Sequence, residues 1–502
     1  MNEHSTAQLD RMVAMDGPVP RILNFVNGEW RASGKVFKKT SPVTGELVSL
    51  VDEADQDLVD QAIAAAATAV TGDWGYSSVE YRCQILDRIA DQMQARFDDL
   101  VDAEMADTGR PLDQVRSTNV ERSITAFRLY ANEARTVFER SLQFRAPDNS
   151  LASSFTTRHP RGVVAVIAPW NVPLLLLSQR IAPALAAGNA IVAKPSEESP
   201  ASATLLAEIM QDAGLPDGVF NLLHGFGAGS TGEMIVRDPR VAAIAFTGET
   251  TTGATIMRSA ADGLRDVSLE LGGKNASLVF ADADLEAAVA GTIRSAFTNS
   301  GQICFCTERV YVERSIFDKF VDMLGQATRG LRIGAPREEG VAIGPLISAA
   351  HRDKVLSYYN LARTEGGTFV AGGSVPKFGD ARDNGHFVEP TVVTGLADDS
   401  RFMREEIFGP VCHVAPFDSD EEAIRLANNT RYGLAAVMWS TDLARVHRLS
   451  GRLRAGAVWV NCWQLRDMRT PLAGHGLSGV GVQGGKESLD FYSQISTVTI
   501  KC

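Results

Sequence analysis

The stretch Val163-Val164-Ala165-Val166-Ile167-Ala168-Pro169-Trp170-Asn171 begins as an unbroken apolar run and ends in a polar turn. It is short for a membrane span, and Pro169, Trp170, Asn171 and Pro173 interrupt it, so it reads as a buried strand followed by a turn. Similar runs recur at Ala190–Ala193, Val219–Leu223, Val241–Phe246 and Val267–Leu271. Helix-length segments separate most of them. One, Ser202–Ala213, has helical spacing and stops at Gly214 with Pro216 just beyond. Strand–helix alternation of this kind predicts a parallel sheet covered on both faces, an α/β fold. Ligands of such sheets sit at the carboxyl ends of the strands, so the turns after these runs are where chemistry is expected.

Upstream, Asn24–Glu46 is rich in turn residues and predicts short strands. Two helices follow. The second carries Ile85, Leu86, Ile89, Met93 and Phe97 at helical spacing, and a further helix is expected over Val120–Ala134. Residues 1–20 read as a loose extension. Downstream, a second alternating region runs from Leu285 to Trp463 and opens with a helix over Leu285–Thr298. Phe138–Ala146 and Gln494–Cys502 read as short β segments that belong to neither region.

The 502 residues leave room for two or more domains, and the net charge of −12 argues against a general nucleic-acid binder. The six cysteines are too sparse for a disulfide scaffold and form no CxxC pair, which speaks against a zinc site and suits a reducing cytosol. The N-terminus lacks the charged-then-apolar order of a signal peptide. A cytoplasmic protein without membrane, nucleic-acid or metal partners is the expectation.

Four turns carry residues able to do chemistry: Ile167–Asn171, Ala193-Lys194-Pro195-Ser196-Glu197, Leu269-Glu270-Leu271-Gly272-Gly273-Lys274 and Gly301-Gln302-Ile303-Cys304. A thiolate is the strongest common side-chain nucleophile and forms thioesters readily. The plainer readings are a buried structural cysteine for Cys304, a helix N-cap for Asn171, solvated charges for Lys194 and Glu197, and strand- or helix-end carboxylates for Glu270 and Glu406. Together and in this order, the four turns resemble the aldehyde dehydrogenase superfamily, over about Asn24 to Lys501.

The resemblance implies a fold with a parallel-sheet cofactor domain, an α/β catalytic domain and a β oligomerisation arm. It assigns residues 21–136 and 159–271 to NAD binding, 272–483 to catalysis, and 137–158 with 484–502 to the arm. It implies a homodimer or a homotetramer. Cys304 becomes the nucleophile, with Cys306 at most a wall. Asn171 and the Cys304 backbone N–H become donors to an oxyanion, and Glu270 the base for thioester hydrolysis. Lys194, Ser196 and Glu197 match positions at the adenosine ribose, where a carboxylate accepts from a 2′-hydroxyl and repels a 2′-phosphate; this favours NAD over NADP. Phe246, Gly248 and Gly253 match a turn that lays a pyrophosphate against a helix N-terminus. Gly227 matches a turn near the adenine, Glu406 with Phe408 the nicotinamide ribose site, and Ile167, Trp170 and Leu271 complete the expected cofactor surface. The chain departs from the family with Glu249 where serine is usual, Gly476 where lysine is common, and Val482-Gln483 where Arg-Glu is common. Neither of the last two departures is expected to touch the chemistry.

Within the superfamily, Cys304–Val312, Phe246–Thr250 and Leu465–Pro471 resemble the dehydrogenases of 2-hydroxymuconic and 2-aminomuconic 6-semialdehydes. Such substrates carry an aldehyde at one end and a carboxylate at the other. Arginine grips a carboxylate best through its planar fork, and Arg122 and Arg466 match the positions that do so. The plainer readings are a surface salt bridge for Arg122 and an ion pair with Asp467 for Arg466. Val172 stands where bulkier residues are common, which implies a wider channel. Rival readings are a dehydrogenase of neutral aldehydes, a CoA-acylating dehydrogenase (which would not need Glu270), and an inactive binding protein of the same fold.

Overall fold

All five apolar runs become strands: Val163–Ile167, Ala190–Lys194, Phe220–Leu222, Val241–Thr247 and Asp266–Glu270. They pair in parallel, and helices pack on both faces, which is why alternation of polar and apolar residues is absent from them. The chain builds outward from Val163–Ile167 to Phe220–Leu222, then crosses to the other side for Val241–Thr247 and Asp266–Glu270. The order therefore reverses between Val163–Ile167 and Val241–Thr247, the kind of crevice where open α/β sheets bind ligands. One edge is extended by the antiparallel hairpin Asn24–Val26 and Glu29–Arg31. The other is closed from far away in the chain: Gly479–Val480 pairs antiparallel with Leu269 and Glu270.

The computed structural model describes residues 13–16 and 19–501. The extension expected over 1–20 is corrected in part: Val13–Asp16 and Val19–Ile22 form an antiparallel pair, and the rest of it lies outside the described residues. The helix expected at Ile85 is Val79–Ala95, capped by the Ser78 side chain and burying Ile85, Leu86, Ile89 and Met93. Phe97 does not continue it. The backbone breaks at Arg96, and Phe97 starts a new helix to Thr108. The helix expected over Val120–Ala134 spans Glu121–Thr136, and a wider π-type turn at Val115–Val120 leads into it.

A second sheet has the order Thr368–Ala371, Thr391–Thr394, Val411–Phe417, Thr307–Glu313, Asn275–Val279, Ala435–Trp439, Ala457–Val460. Only its first pair is antiparallel. A third, separate sheet has Leu151–Pro160 between Ser141–Arg145 and Ser493–Lys501. It exposes Leu142, Phe144, Ile495, Val498 and Ile500. The segment 484–492 does not join this arm: the helix Gly485–Phe491 lies against Glu121–Thr136 and Pro173–Ala186, with Leu489 and Tyr492 in their core. No helix among the described residues is long and apolar enough to cross a membrane.

Candidate active site

Two sheets meet end to end. The carboxyl ends of the first carry Glu270, Gly248, Asn171, Lys194 and Gly227, in the order of its strands. The amino ends of three adjacent strands of the second carry Gly272-Gly273 before Asn275, Cys304 before Thr307, and Glu406 with Phe408 before Val411. Cys304 thus precedes its strand rather than following one. It still reaches the first sheet, because Asn171 Nδ2 donates to the Gln302 carbonyl at 2.8 Å.

The loop before Cys304 holds three successive left-handed residues, Asn299, Ser300 and Gly301, with φ of 52°, 55° and 74°. For the first two this costs about 1–2 kcal/mol each. Hydrogen bonds offset it. Asn299 N–H donates to Gln114 Oε1 at 3.0 Å, Asn299 Nδ2 to the Asn171 carbonyl at 2.9 Å, and Ser300 Oγ to the Gly344 carbonyl at 2.7 Å. Gly301 admits no side chain, since a Cβ there would overlap the Gly409 carbonyl. Beyond the loop, Asn275 Nδ2 donates to the carbonyls of Cys304 at 2.7 Å and Cys306 at 2.8 Å. Cys304 is half-buried in this rigid turn. Burial, with Glu270 and Glu406 adding, pushes its thiol well above the ordinary range. It rests protonated, and a base must take the proton. Cys306 is buried outright and pushed up to about 12, chiefly by burial.

Asn171 is buried and is not a helix N-cap; Val172 takes that place before Pro173–Ala186. One N–H of its side-chain amide is used on Gln302, and one remains. Glu270 ends its strand with 8 % of its surface exposed. Burial pushes its carboxyl up to about 7, against the pull of Arg180, Arg466 and the Gln483 amide. Gln483 therefore stands beside the candidate base, contrary to the expectation that this departure lies away from the chemistry. A glutamate there would press a second negative charge on Glu270. Arg180, which sequence reasoning passed over, is buried between the strand ends and donates to Ser268 Oγ at 2.8 Å and Thr247 Oγ1 at 3.1 Å.

Glu406 accepts from Gly273 N–H at 2.7 Å and is pushed up to about 7, first by burial and then by Glu308. A Cβ on Gly272 would strike its carboxylate. Glu308, buried in an ion pair with Lys274, accepts from the N–H groups of Ile407 at 3.1 Å and Phe408 at 2.9 Å. This fixes Phe408 at φ 61°. His351, also missed in the sequence, hydrogen-bonds the Phe408 carbonyl through Nε2 at 2.7 Å. Trp170 packs edge-on to both rings, 5.1 Å from His351 and 5.5 Å from Phe408.

Along the first sheet, Ile167 is the register partner of both Lys194 and Phe246. The Lys194 ammonium is buried yet, among the described residues, bonds only the Pro195 carbonyl at 2.9 Å and Glu197 at 3.4 Å, which leaves donor capacity for a ligand hydroxyl. Burial lowers its pKa. Ser196 Oγ lies 3.5 Å from the same Glu197 carboxylate. Space around Gly227 is open. Gly253, in the first turn of the helix Thr250–Ala261, packs tightly on Leu271, and Gly248 on the Phe246 ring. Glu249 occupies the N-cap position of that helix without a capping bond from its side chain. Hydroxyl-binding charges, an open glycine and a helix N-terminus along one sheet edge fit a dinucleotide.

Arg122 is half-buried and, among the described residues, forms no ion pair or hydrogen bond. Arg466 bonds the Thr470 carbonyl at 3.1 Å, and its Nε is buried without a partner. Both plainer readings fail here, since Asp467 pairs with Arg469 instead. Arg466 is near Glu270, Cys304 and Arg122. Among the described residues no group of acids, histidines and cysteines could hold a metal ion.

Residues 30–498 match the model of the aldehyde dehydrogenase family. The chain is 54% identical to a 2-aminomuconic 6-semialdehyde dehydrogenase of Pseudomonas sp, over 95% of this chain and 97% of that protein. It is 48% identical to a 2-hydroxymuconic semialdehyde dehydrogenase of Pseudomonas sp. (strain CF600), over 96% and 99%. Among solved structures, the NAD+ complex of an aldehyde dehydrogenase from Bacillus cereus superposes with a TM-score of 0.93 at 34% identity, over 100% of this chain and 99% of that one. With the fold, the converging strand ends and these likenesses in agreement, the chain belongs to the aldehyde dehydrogenase family.

Proposed function

We propose that the chain oxidises an aldehyde to a carboxylate with NAD through a thioester on Cys304, and that the aldehyde is a muconic-type semialdehyde carrying a distal carboxylate. The observation that carries the substrate assignment is the pair Arg122 and Arg466, both partly buried without a carboxylate ion-pair partner among the described residues, with Arg466 near Glu270 and Cys304 and Arg122 near Arg466. Unpaired guanidinium groups in a cavity are costly unless a ligand supplies the anion. The names of the relatives at 54% and 48% identity support the same substrate class.

Glu270 takes the Cys304 proton, and the sulfur attacks the carbonyl carbon. The free Asn171 N–H and the Cys304 backbone N–H receive the resulting oxyanion; such donors are worth about 3–4 kcal/mol each. NAD, held by the residues named next, would supply the acceptor for the hydride that leaves that carbon. Lys194, Ser196 and Glu197 hold its adenosine ribose, Gly227 gives room at the adenine, and Phe246, Gly248 and Gly253 receive the pyrophosphate. Glu406 and Phe408 hold the nicotinamide ribose, and Ile167, Trp170 and Leu271 line the surface. Glu270 gives that first proton up to solvent and is again a carboxylate; it then draws a proton from water, the hydroxide attacks the thioester, and the acid leaves as the Cys304 sulfur takes a proton back from Glu270. Residues 21–136 and 159–271 form the cofactor domain, 272–483 the catalytic domain, and the strands within 137–158 and 484–502 the arm. Its exposed strands pair a homodimer, alone or within a tetramer. The free thiols suit the cytoplasm.

Steady-state kinetics on a panel of semialdehydes, with NAD and NADP, tests the assignment. Arg122→Ala and Arg466→Ala should each lower kcat/KM for a muconic-type semialdehyde by roughly 10–100-fold, the worth of a charged hydrogen bond. A neutral aldehyde should change by less than about threefold. Equal losses on both substrates would remove the arginines from substrate recognition. Glu197→Gln should raise kcat/KM for NADP on the order of tenfold, because one repulsive charge is gone; an unchanged cofactor ratio would take Glu197 out of that role.

A further inference from the structure

We propose that Arg110, Asn119 and Glu104 form a buried network that positions Asn171, and that turnover depends on it. The proposal rests on the aldehyde-oxidising reading above. All three side chains lie in the core, with Glu104 and Asn119 fully buried and Arg110 2 % exposed.

Glu104 belongs to the helix Phe97–Thr108 and accepts three hydrogen bonds: from Asn119 Nδ2 at 2.6 Å, Ser202 Oγ at 2.6 Å and the Leu174 N–H at 3.0 Å. Leu174 stands in the first turn of the helix Pro173–Ala186, three residues after Asn171. The Glu104 carboxylate thus also meets the positive end of that helix. Asn119 lies in the π-type turn Val115–Val120, and its Oδ1 accepts from Arg110 Nη1 at 2.6 Å. The same Nη1 is 3.4 Å from the Asn171 carbonyl. Network members therefore touch the backbone at Asn171 and again just beyond it. The Asn171 carbonyl also takes Asn299 Nδ2 from the loop before Cys304, but that turn has further bonds of its own to Gln114, Gly344 and Asn275, so the network bears on the donor rather than on the nucleophile.

An acid and a base buried this deeply are a poor choice for stability alone, since apolar residues of equal volume usually do as well. Here a neutral amide is interposed between them, which fixes spacing rather than maximising attraction. Wide helical turns of the kind that carries Asn119 occur preferentially at functional sites. Burial raises the Glu104 carboxyl and lowers Arg110 to about 10, as a dry site requires. None of the three touches a reacting atom in the proposed chemistry, so they are positioning residues.

A double-mutant cycle in the full-length enzyme tests this. Arg110→Lys keeps a charge but loses the Nη1 that reaches both Asn119 and Asn171; Asn171→Ala removes the donor. Arg110→Lys should lower kcat on the order of 10–100-fold, as misplaced catalytic groups do. KM for NAD and the rate of Cys304 alkylation by iodoacetamide should stay within about twofold, since neither uses the oxyanion donor. In the Asn171→Ala background, Arg110→Lys should cost less than about twofold more, because residues acting through one group are not additive. Multiplying losses, or undiminished kcat in Arg110→Lys, overturn the proposal. Should a thermal melt show Arg110→Lys unfolded, Asn119→Ser runs the same cycle with the same two criteria. A wild-type enzyme that forms no NADH with any aldehyde sinks the parent reading and this one with it; multiplying losses sink this one alone.

Discussion

Cys304→Ser is expected to cut aldehyde oxidation by roughly three to four orders of magnitude, about 4–5.5 kcal/mol of transition-state stabilisation. The site explains why the loss is so large. Burial and two neighbouring carboxylates already hold even a thiol protonated, and a hydroxyl is far harder to ionise there. Cys306 offers no substitute, since it is buried in the core and its thiol is pushed up to about 12. Affinity for NAD, read by fluorescence titration, should hold, because the residues proposed to bind the cofactor sit mainly on the other sheet. Stopped-flow and steady-state NADH formation decide the matter. Turnover at wild-type speed would show that sulfur is not the acyl carrier.

Glu270→Gln should slow the first turnover, since Glu270 also takes the Cys304 proton, and slow the next still further. General bases contribute about 10²–10⁴-fold, and hydrolysis of the thioester is the step that most needs one. The expected signature is a small burst of NADH followed by slow turnover, with acylated Cys304 visible by intact mass. The pH dependence follows from the same carboxyl. Burial raises it to about 7, and only its ionised form accepts a proton. Activity of the wild type should therefore rise with pH through about 7 and flatten above it. Glu406, also raised to about 7, titrates in the same range, so the decisive comparison is between variants. Glu270→Gln should lose the rising limb. A variant that keeps both the limb and the full steady-state rate would exclude Glu270 as the base.

Much of this was legible in the residues. The five apolar runs announced the first sheet because strands buried on both faces have no alternation to disguise them. The places of Glu270, Asn171 and Lys194 at or just after strand ends followed from the runs, while the roles proposed for them came from the family resemblance. Arg180, Gln483, His351 and Arg110 were not legible. Their meaning comes from contacts between residues far apart in the chain: Gln483 is beside Glu270, and His351 holds a carbonyl 57 positions away. Phe97 misled for a different reason. It keeps the apolar spacing of Ile85–Met93, but one residue leaving the helical region, Arg96, ends the helix without proline or glycine. The antiparallel return of Gly479–Val480 to the first sheet was equally hidden, as two residues carry no periodicity.

That return governs how the molecule comes into being on the ribosome. The segment that covers the outer margin of the strand bearing Glu270 is made about two hundred residues after that strand. At ordinary elongation rates the interval is on the order of ten seconds or more. During it, the nascent polypeptide displays an uncovered β margin of the sort that recruits wrong neighbours. Mispairing at that margin would lower the yield of active molecules without any weakness in the finished protein.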